Sequence, residues 1–88
     1  MTQAASAELA NISAALVDAL RGAYRLAQAG EYGEPLREVV GFCRDLVAIA
    51  DETLAATPNA GESARGIAMH MAEQLAALEQ LLGPEAAS

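Results

Sequence analysis

The sequence predicts an all-α protein, a single-domain, up-down-up three-helix bundle over residues 1–88, and three observations support that prediction. Before Gly83-Pro84, clusters of turn-forming residues occur only at 30–35 and 57–61, which leaves three long segments. In each segment, apolar residues recur at spacings of three and four, as they do along one face of a helix. The connections are short and the segments similar in length, so consecutive helices should be antiparallel neighbours.

The first helix is predicted over roughly 4–29. Its apolar residues form one stripe: Leu9, Ile12, Leu16, Leu20, Ala23 and Ala27. Gly30 follows the last of them, where a glycine ends a helix because it adopts the left-handed conformation without a Cβ clash.

The second helix is predicted over roughly 35–57, with Pro35 at the first helical position, where its missing N–H costs nothing. A main apolar stripe repeats at spacings of four and three: Leu36, Val40, Cys43, Val47, Ala50 and Leu54. A second row widens the apolar arc to about half the circumference: Val39, Phe42, Leu46 and Ile49. This helix should therefore touch both others and be the central one.

The third helix is predicted over roughly 60–82. Asn59 with Glu62 three residues later forms a variant of the capping box, and Gly83-Pro84 is a stop signal. The apolar stripe comprises Ala64, Ala68, Met71, Leu75, Leu78 and Leu82. The first three residues and the tail 85–88 are expected to fray.

Composition excludes several classes of function. Twelve acidic residues against five basic ones, all arginine, give a net charge of -7, which disfavours binding to nucleic acids or anionic membranes. One cysteine excludes an internal disulfide framework and a multi-cysteine zinc site. Neither a membrane-spanning run nor a signal peptide is recognisable, so a cytoplasmic location is expected. Arg21 and Arg25 are expected to pair with Asp18, and Arg37 with Glu34.

Few residues could support enzyme chemistry, and neither catalysis nor a bound cofactor is predicted. Cys43 lies within the apolar stripe of the second helix, where a thiol acts as a small hydrophobic side chain. His70 is expected to be solvated. An alternative is a contact between His70 and Asp51 that would respond to pH, or a metal or small-ligand site built from His70, Asp51 and Glu73.

Small residues form two rows at spacing seven on faces opposite the main apolar stripes. The rows are Ala15, Gly22 and Ala29 on the first helix and Gly41, Ala48 and Ala55 on the second. Small side chains let another helix approach closely, and in an antiparallel pair Gly22 and Gly41 should lie at the same height. Because a quarter of the chain is alanine, chance is the alternative explanation.

Exposed apolar and polar side chains complete the predicted interface. Phe42, Ile49 and Met69 should be partly exposed, and Arg37 and Arg44 should form a polar rim. A chain with three aromatic residues gains from burying such surface against another subunit, so a homodimer is expected.

The segment Gly30-Glu31-Tyr32-Gly33-Glu34-Pro35-Leu36 resembles the turn of a tetratricopeptide hairpin. No second copy follows at the required period, so the peptide-binding role of that family is not transferred. In composition, the alanine-rich, lysine-free, acidic helices are similar to docking and linker elements of bacterial multienzyme assembly lines.

These observations predict a non-enzymatic protein–protein interaction module, such as an adaptor, regulator, chaperone or docking domain. Two alternatives remain open. One is a helical bundle that binds a metal or small ligand, and the other is a non-catalytic subunit of a multienzyme complex.

Overall fold

The computed structural model describes the backbone of residues 2–83 and the side chains of residues 6–83. It consists of three α-helices, α1 (Thr2–Gln28), α2 (Glu34–Ala55) and α3 (Glu62–Leu82). Every pair of helices is in contact, which confirms the predicted three-helix bundle. α2 contacts both other helices as predicted, but it is not the central helix, because α1 and α3 also pack directly against each other.

The α1–α2 connection begins with the predicted glycine. Gly30 has a φ of +77°, and its N–H donates to the Ala27 carbonyl at 3.0 Å while the Glu31 N–H donates to the Leu26 carbonyl at 2.9 Å. These two hydrogen bonds form a Schellman motif, which satisfies carbonyls left free at the helix end. Gly33 is the N-cap of α2, so Pro35 occupies the second helical position and not the first.

The α2–α3 connection differs from the prediction at both ends. α2 ends at Ala55, and the Thr57 hydroxyl donates to the Thr53 carbonyl at 2.9 Å. α3 begins at Glu62 with Gly61 as its N-cap and no side-chain cap, so Asn59 does not start the helix. A turn closed by the Ala60 N–H and the Thr57 carbonyl, 3.0 Å apart, instead places Ala60 in the core with 7% of its surface exposed.

The N-terminal end of the chain differs from the predicted fraying. α1 begins at Thr2, so the helix includes two of the three residues expected to fray. α3 ends at Leu82, and Gly83, with a φ of +82°, donates its N–H to the Glu79 carbonyl at 3.0 Å. The predicted frayed tail and Pro84 lie outside the described residues.

The core is built from the three predicted stripes. All buried side chains within residues 6–83 are hydrophobic. The largest that are fully enclosed are Leu9, Leu16, Leu36, Val40, Cys43, Met71 and Leu78. Alanines from all three helices pack between them, which lets the helices lie close together in a molecule with extents of 44 × 19 × 16 Å.

Candidate functional site

An open groove of about 610 Å³ lies along the contact between α1 and α2. α1 contributes four lining residues and α2 three: Ala15, Asp18, Ala19 and Gly22, and Glu38, Val39 and Phe42. The helix positions explain this set, because residues spaced by three, four or seven lie on one side of a helix. We call this surface the α1–α2 groove.

The α1–α2 groove is open because three of its four α1 lining residues carry almost no side-chain volume. Ala15 and Ala19 end at Cβ, and a Cβ built on Gly22 would meet no described atom within 4 Å other than those of its chain neighbours and its own helix backbone. Val39 and Phe42 line the α2 side of the groove, and their side chains are larger than those of Ala15 and Ala19. The surface can therefore accept a side chain or a helix from outside without displacing the atoms that form it.

Phe42 is the most informative side chain of the α1–α2 groove. Phe42 is 51% exposed, whereas Cys43, the next residue, is fully buried. A half-exposed aromatic ring beside a concave apolar surface is typical of interface anchors, because a ring contributes a large contact area with few rotatable bonds. The predicted exposure of Phe42 is thus observed, and it occurs at the edge of a groove.

Two carboxylates make the α1–α2 groove acidic. Asp18 on α1 and Glu38 on α2 both line it and both are exposed. The expected pairing of Asp18 with Arg21 or Arg25 is not formed, and neither is that of Arg37 with Glu34, within the side chains described here. No arginine is among the residues that line the groove. Its surface therefore combines an apolar floor with two carboxylates that have no ion-pair partner among the described side chains.

The structure separates the two rows of small residues. Ala15 and Gly22 line the α1–α2 groove, and Ala29 is exposed just after the end of α1. Gly41, Ala48 and Ala55 do not line it. Gly41 precedes Phe42 by one residue and so points about 100° away from it around α2.

Neither of the two arginines predicted as a polar rim lines the α1–α2 groove. Arg44 donates from Nε to Oε2 of Glu79 on α3 at 2.7 Å, in a partly exposed ion pair that joins α2 to α3. Arg37 is exposed and is not among the groove residues. The ion pair of Arg44 thus connects α2 to α3.

Further apolar side chains are exposed elsewhere. Ile49 on α2 is 46% exposed and Met69 on α3 is 61% exposed, as predicted. Tyr32 in the first connection and Leu81 near the end of α3 are also exposed. The exposure of these two residues was not predicted from the sequence. For Leu81 it could have been, because Leu81 lies beside the main α3 stripe and not within it.

The three residues of the alternative metal site do not converge on one point. His70 Nδ1 lies 3.8 Å from Oε1 of Glu73, and both side chains are about two-thirds exposed. Asp51 is exposed and forms no ion pair with His70 in the part of the chain that is described. Over that same part, no three His, Cys, Asp or Glu side chains cluster closely enough to hold a metal ion.

Cys43 occupies the predicted core position. Its side chain is fully enclosed, and burial raises the pKa of the thiol above its ordinary value because the charged thiolate loses its hydration. The thiolate is the reactive form of cysteine. The placement therefore makes Cys43 a packing residue with low reactivity.

Comparison with known proteins gives no relative from which a function could be transferred: no family model, curated protein or solved structure matches the chain. None of the helices formed by residues 2–82 has the length and apolar character needed to cross a membrane.

Proposed function

We propose that the protein is a non-enzymatic, helical protein-interaction module that binds another protein through the α1–α2 groove. The observation that carries this proposal is the half-exposed Phe42 at the edge of a groove whose opposite wall is Ala15, Ala19 and Gly22. Grooves of this kind between packed helices accept the apolar face of an added helix.

Energetics support an external occupant. Complete burial of a phenylalanine side chain contributes about 1.5–3 kcal/mol, and Phe42 still has about half of its surface available to a partner. Gly22 costs the helix about 1 kcal/mol relative to alanine, yet nothing described inside the bundle needs the space that its missing side chain leaves. A partner that occupies the groove would use both features.

Self-association is a second candidate, favoured by exposed apolar side chains outside the α1–α2 groove. Ile49, Met69 and Leu81 are each close to half exposed or more. In a chain of 88 residues with few aromatic side chains, covering them with a second copy would add stability. The dimer predicted from the sequence therefore remains a prediction.

Photo-cross-linking in cells that naturally produce the protein tests the proposal. Phe42 is replaced by the photoreactive phenylalanine analogue benzoylphenylalanine, which keeps the aromatic ring at the groove edge. The matched control carries the same analogue at Met69, which is more exposed but lies on α3. We expect a discrete protein adduct from position 42 and a much weaker one from position 69.

The adduct's mass identifies the occupant, since a second copy adds 9.0 kDa and another protein adds its own mass. Absence of any adduct at position 42, with the variant folded by circular dichroism, would contradict the proposed use of the groove. An adduct of 9.0 kDa from position 69 alone would support the second candidate.

A further inference from the structure

The two carboxylates that line the α1–α2 groove indicate the chemical class of its partner. We propose that its occupant is an amphipathic helix of another protein, with a small apolar face bordered by lysine or arginine. This inference rests on the proposed function and adds the chemical class of the partner to it.

The shape of the α1–α2 groove fits one helix. Its walls are two antiparallel helices, and the lining residues of α1 extend over two turns from Ala15 to Gly22. A helix of the partner laid along this groove would meet Ala15 and Gly22, which are seven residues apart on α1. Their small size permits close approach of the two backbones. Phe42 and Val39 would pack against its side and supply most of the apolar contact area.

The negative charge of the groove favours a basic helix as its occupant. Asp18 and Glu38 lie on opposite walls of the α1–α2 groove, and neither forms an ion pair with any side chain of residues 6–83. A helix bordered by lysine or arginine would supply a cation to each, and charge-assisted hydrogen bonds are the stronger kind. The net charge of -7 adds attraction at longer range and speeds association.

The same charges disfavour a second copy in this groove. If two copies packed groove to groove, the Asp18 and Glu38 carboxylates of each would meet those of the other, with no arginine among the lining residues to separate them. Juxtaposed like charges oppose association. Self-association, where it occurs, would use other apolar side chains such as Met69 and Leu81.

The experiment selects ligands without assuming their charge. A displayed library of helical peptides as long as α2 presents a fixed alanine and leucine face, and all other positions vary freely. Peptides that bind the full-length protein are sequenced, and their affinities are measured by fluorescence anisotropy at low and high salt. We expect lysine and arginine to be enriched beside the apolar face.

A pair of charge variants tests the two groove carboxylates directly. The double variant Asp18→Asn, Glu38→Gln keeps the shape of the groove and removes its charge. The control Asp51→Asn, Glu73→Gln removes the same net charge from exposed positions outside it. We expect the groove variant to weaken binding by about tenfold or more, and the control by about twofold, because distant exposed charges are screened.

Each outcome decides between the inference and the proposed function. In one outcome, the selected peptides fail to bind the Phe42→Ser variant and yet show no enrichment of lysine or arginine. That result would overturn the inference and leave the groove as a docking site. If no selected peptide depends on Phe42, both fail. A monomer–dimer equilibrium in sedimentation that Phe42→Ser abolishes would identify a second copy as the occupant and also overturn the inference.

Discussion

Phe42 and Cys43 are neighbours on α2 but lie in opposite environments. The largest apolar side chain of the helix is half exposed, while the small thiol beside it is fully enclosed among leucines and alanines. Tight packing of three helices with many alanines leaves room in the centre for a small side chain at position 43. The difference separates residues that stabilise the bundle from residues that shape its surface, and five predictions test this separation.

The largest expected effect contrasts a core leucine with the groove phenylalanine. Leu16→Ala should lower the free energy of unfolding by about 2–5 kcal/mol, because it removes a fully buried side chain and leaves a cavity. Phe42→Ala should lower it by only about 1 kcal/mol, because about half of this side chain is already exposed in the bundle. Urea denaturation measures both, and equal losses would show that Phe42 belongs to the core.

The second prediction uses the pH dependence of stability at Cys43. Its pKa is raised in the folded state by burial, so the unfolded state releases the thiol proton first as pH rises. Stability is therefore intact below the ordinary thiol pKa and declines above it, by at most about 1.4 kcal/mol per pH unit, until the folded-state pKa is passed. Urea midpoints across alkaline pH should show this decline.

Cys43→Ala is the control for that measurement. It should cost about 1 kcal/mol or more through the lost packing and should lack the part of the alkaline decline that comes from the thiol. A bulky thiol reagent should also label folded wild type slowly and unfolded protein fast. Rapid labelling of the folded protein would contradict the enclosed position of Cys43.

The third prediction concerns Gln74 on α3. Its side-chain oxygen Oε1 is buried and has no hydrogen-bond partner among the described residues. Gln74→Met keeps the side-chain length and removes the unpaired oxygen, so it should raise the free energy of unfolding by about 1 kcal/mol. Thermal unfolding followed by circular dichroism measures this gain, and a loss would indicate that the amide is hydrogen-bonded in solution.

The fourth prediction compares glycines inside and outside the α1–α2 groove. A Cβ at Gly41 or Gly22 would meet no described atom within 4 Å apart from its chain neighbours and its own helix backbone. Gly41→Leu and Gly22→Leu should therefore each stabilise the folded chain by about 0.5–1 kcal/mol. Only Gly22→Leu should block peptide binding, because only Gly22 lines the groove. Anisotropy titrations of both variants decide this, and loss of binding in Gly41→Leu would place the docking surface elsewhere.

The smallest expected effect is at the ion pair between α2 and α3. Arg44 and Glu79 are 43% and 30% exposed, so solvent screens their attraction. Glu79→Gln should lower stability by about 0.5 kcal/mol or less, and by still less at high salt. Urea titrations at two salt concentrations check this, and a loss comparable to that of Leu16→Ala would assign the pair a larger structural role.

Helix positions and core residues were predictable because both depend on local rules. Leu16, Cys43 and Met71 lie at apolar spacings of three and four, and all three are fully buried. Gly30 ends α1 as predicted because only glycine readily adopts its positive φ. Asn59 was the wrong N-cap because burial of Ala60 shifts the start of α3, and that burial depends on the other two helices.

The candidate site was only partly predictable. Phe42, Ala15 and Gly22 were identified from their spacing and exposure, but Asp18, Glu38 and Val39 were not recognised as their neighbours. Which residues meet across α1 and α2 depends on the rotation of each helix about its own axis. Consecutive residues are about 100° apart around any α-helix, so the rotation that places Phe42 at the groove turns Gly41 away from it. The same rotation places Arg44 beside α3.

The amino-acid sequence by itself determined three helices, their approximate ends, the apolar stripes that pack together and the strong negative charge. It did so because periodicity, turn chemistry and composition act within a few residues or over the whole chain. Only the tertiary structure decided which outer faces lie side by side, since packing fixes how each helix is turned. It placed Asp18, Gly22, Glu38 and Phe42 around one groove, because the close contact of α1 and α2 joins surfaces that are distant along the chain.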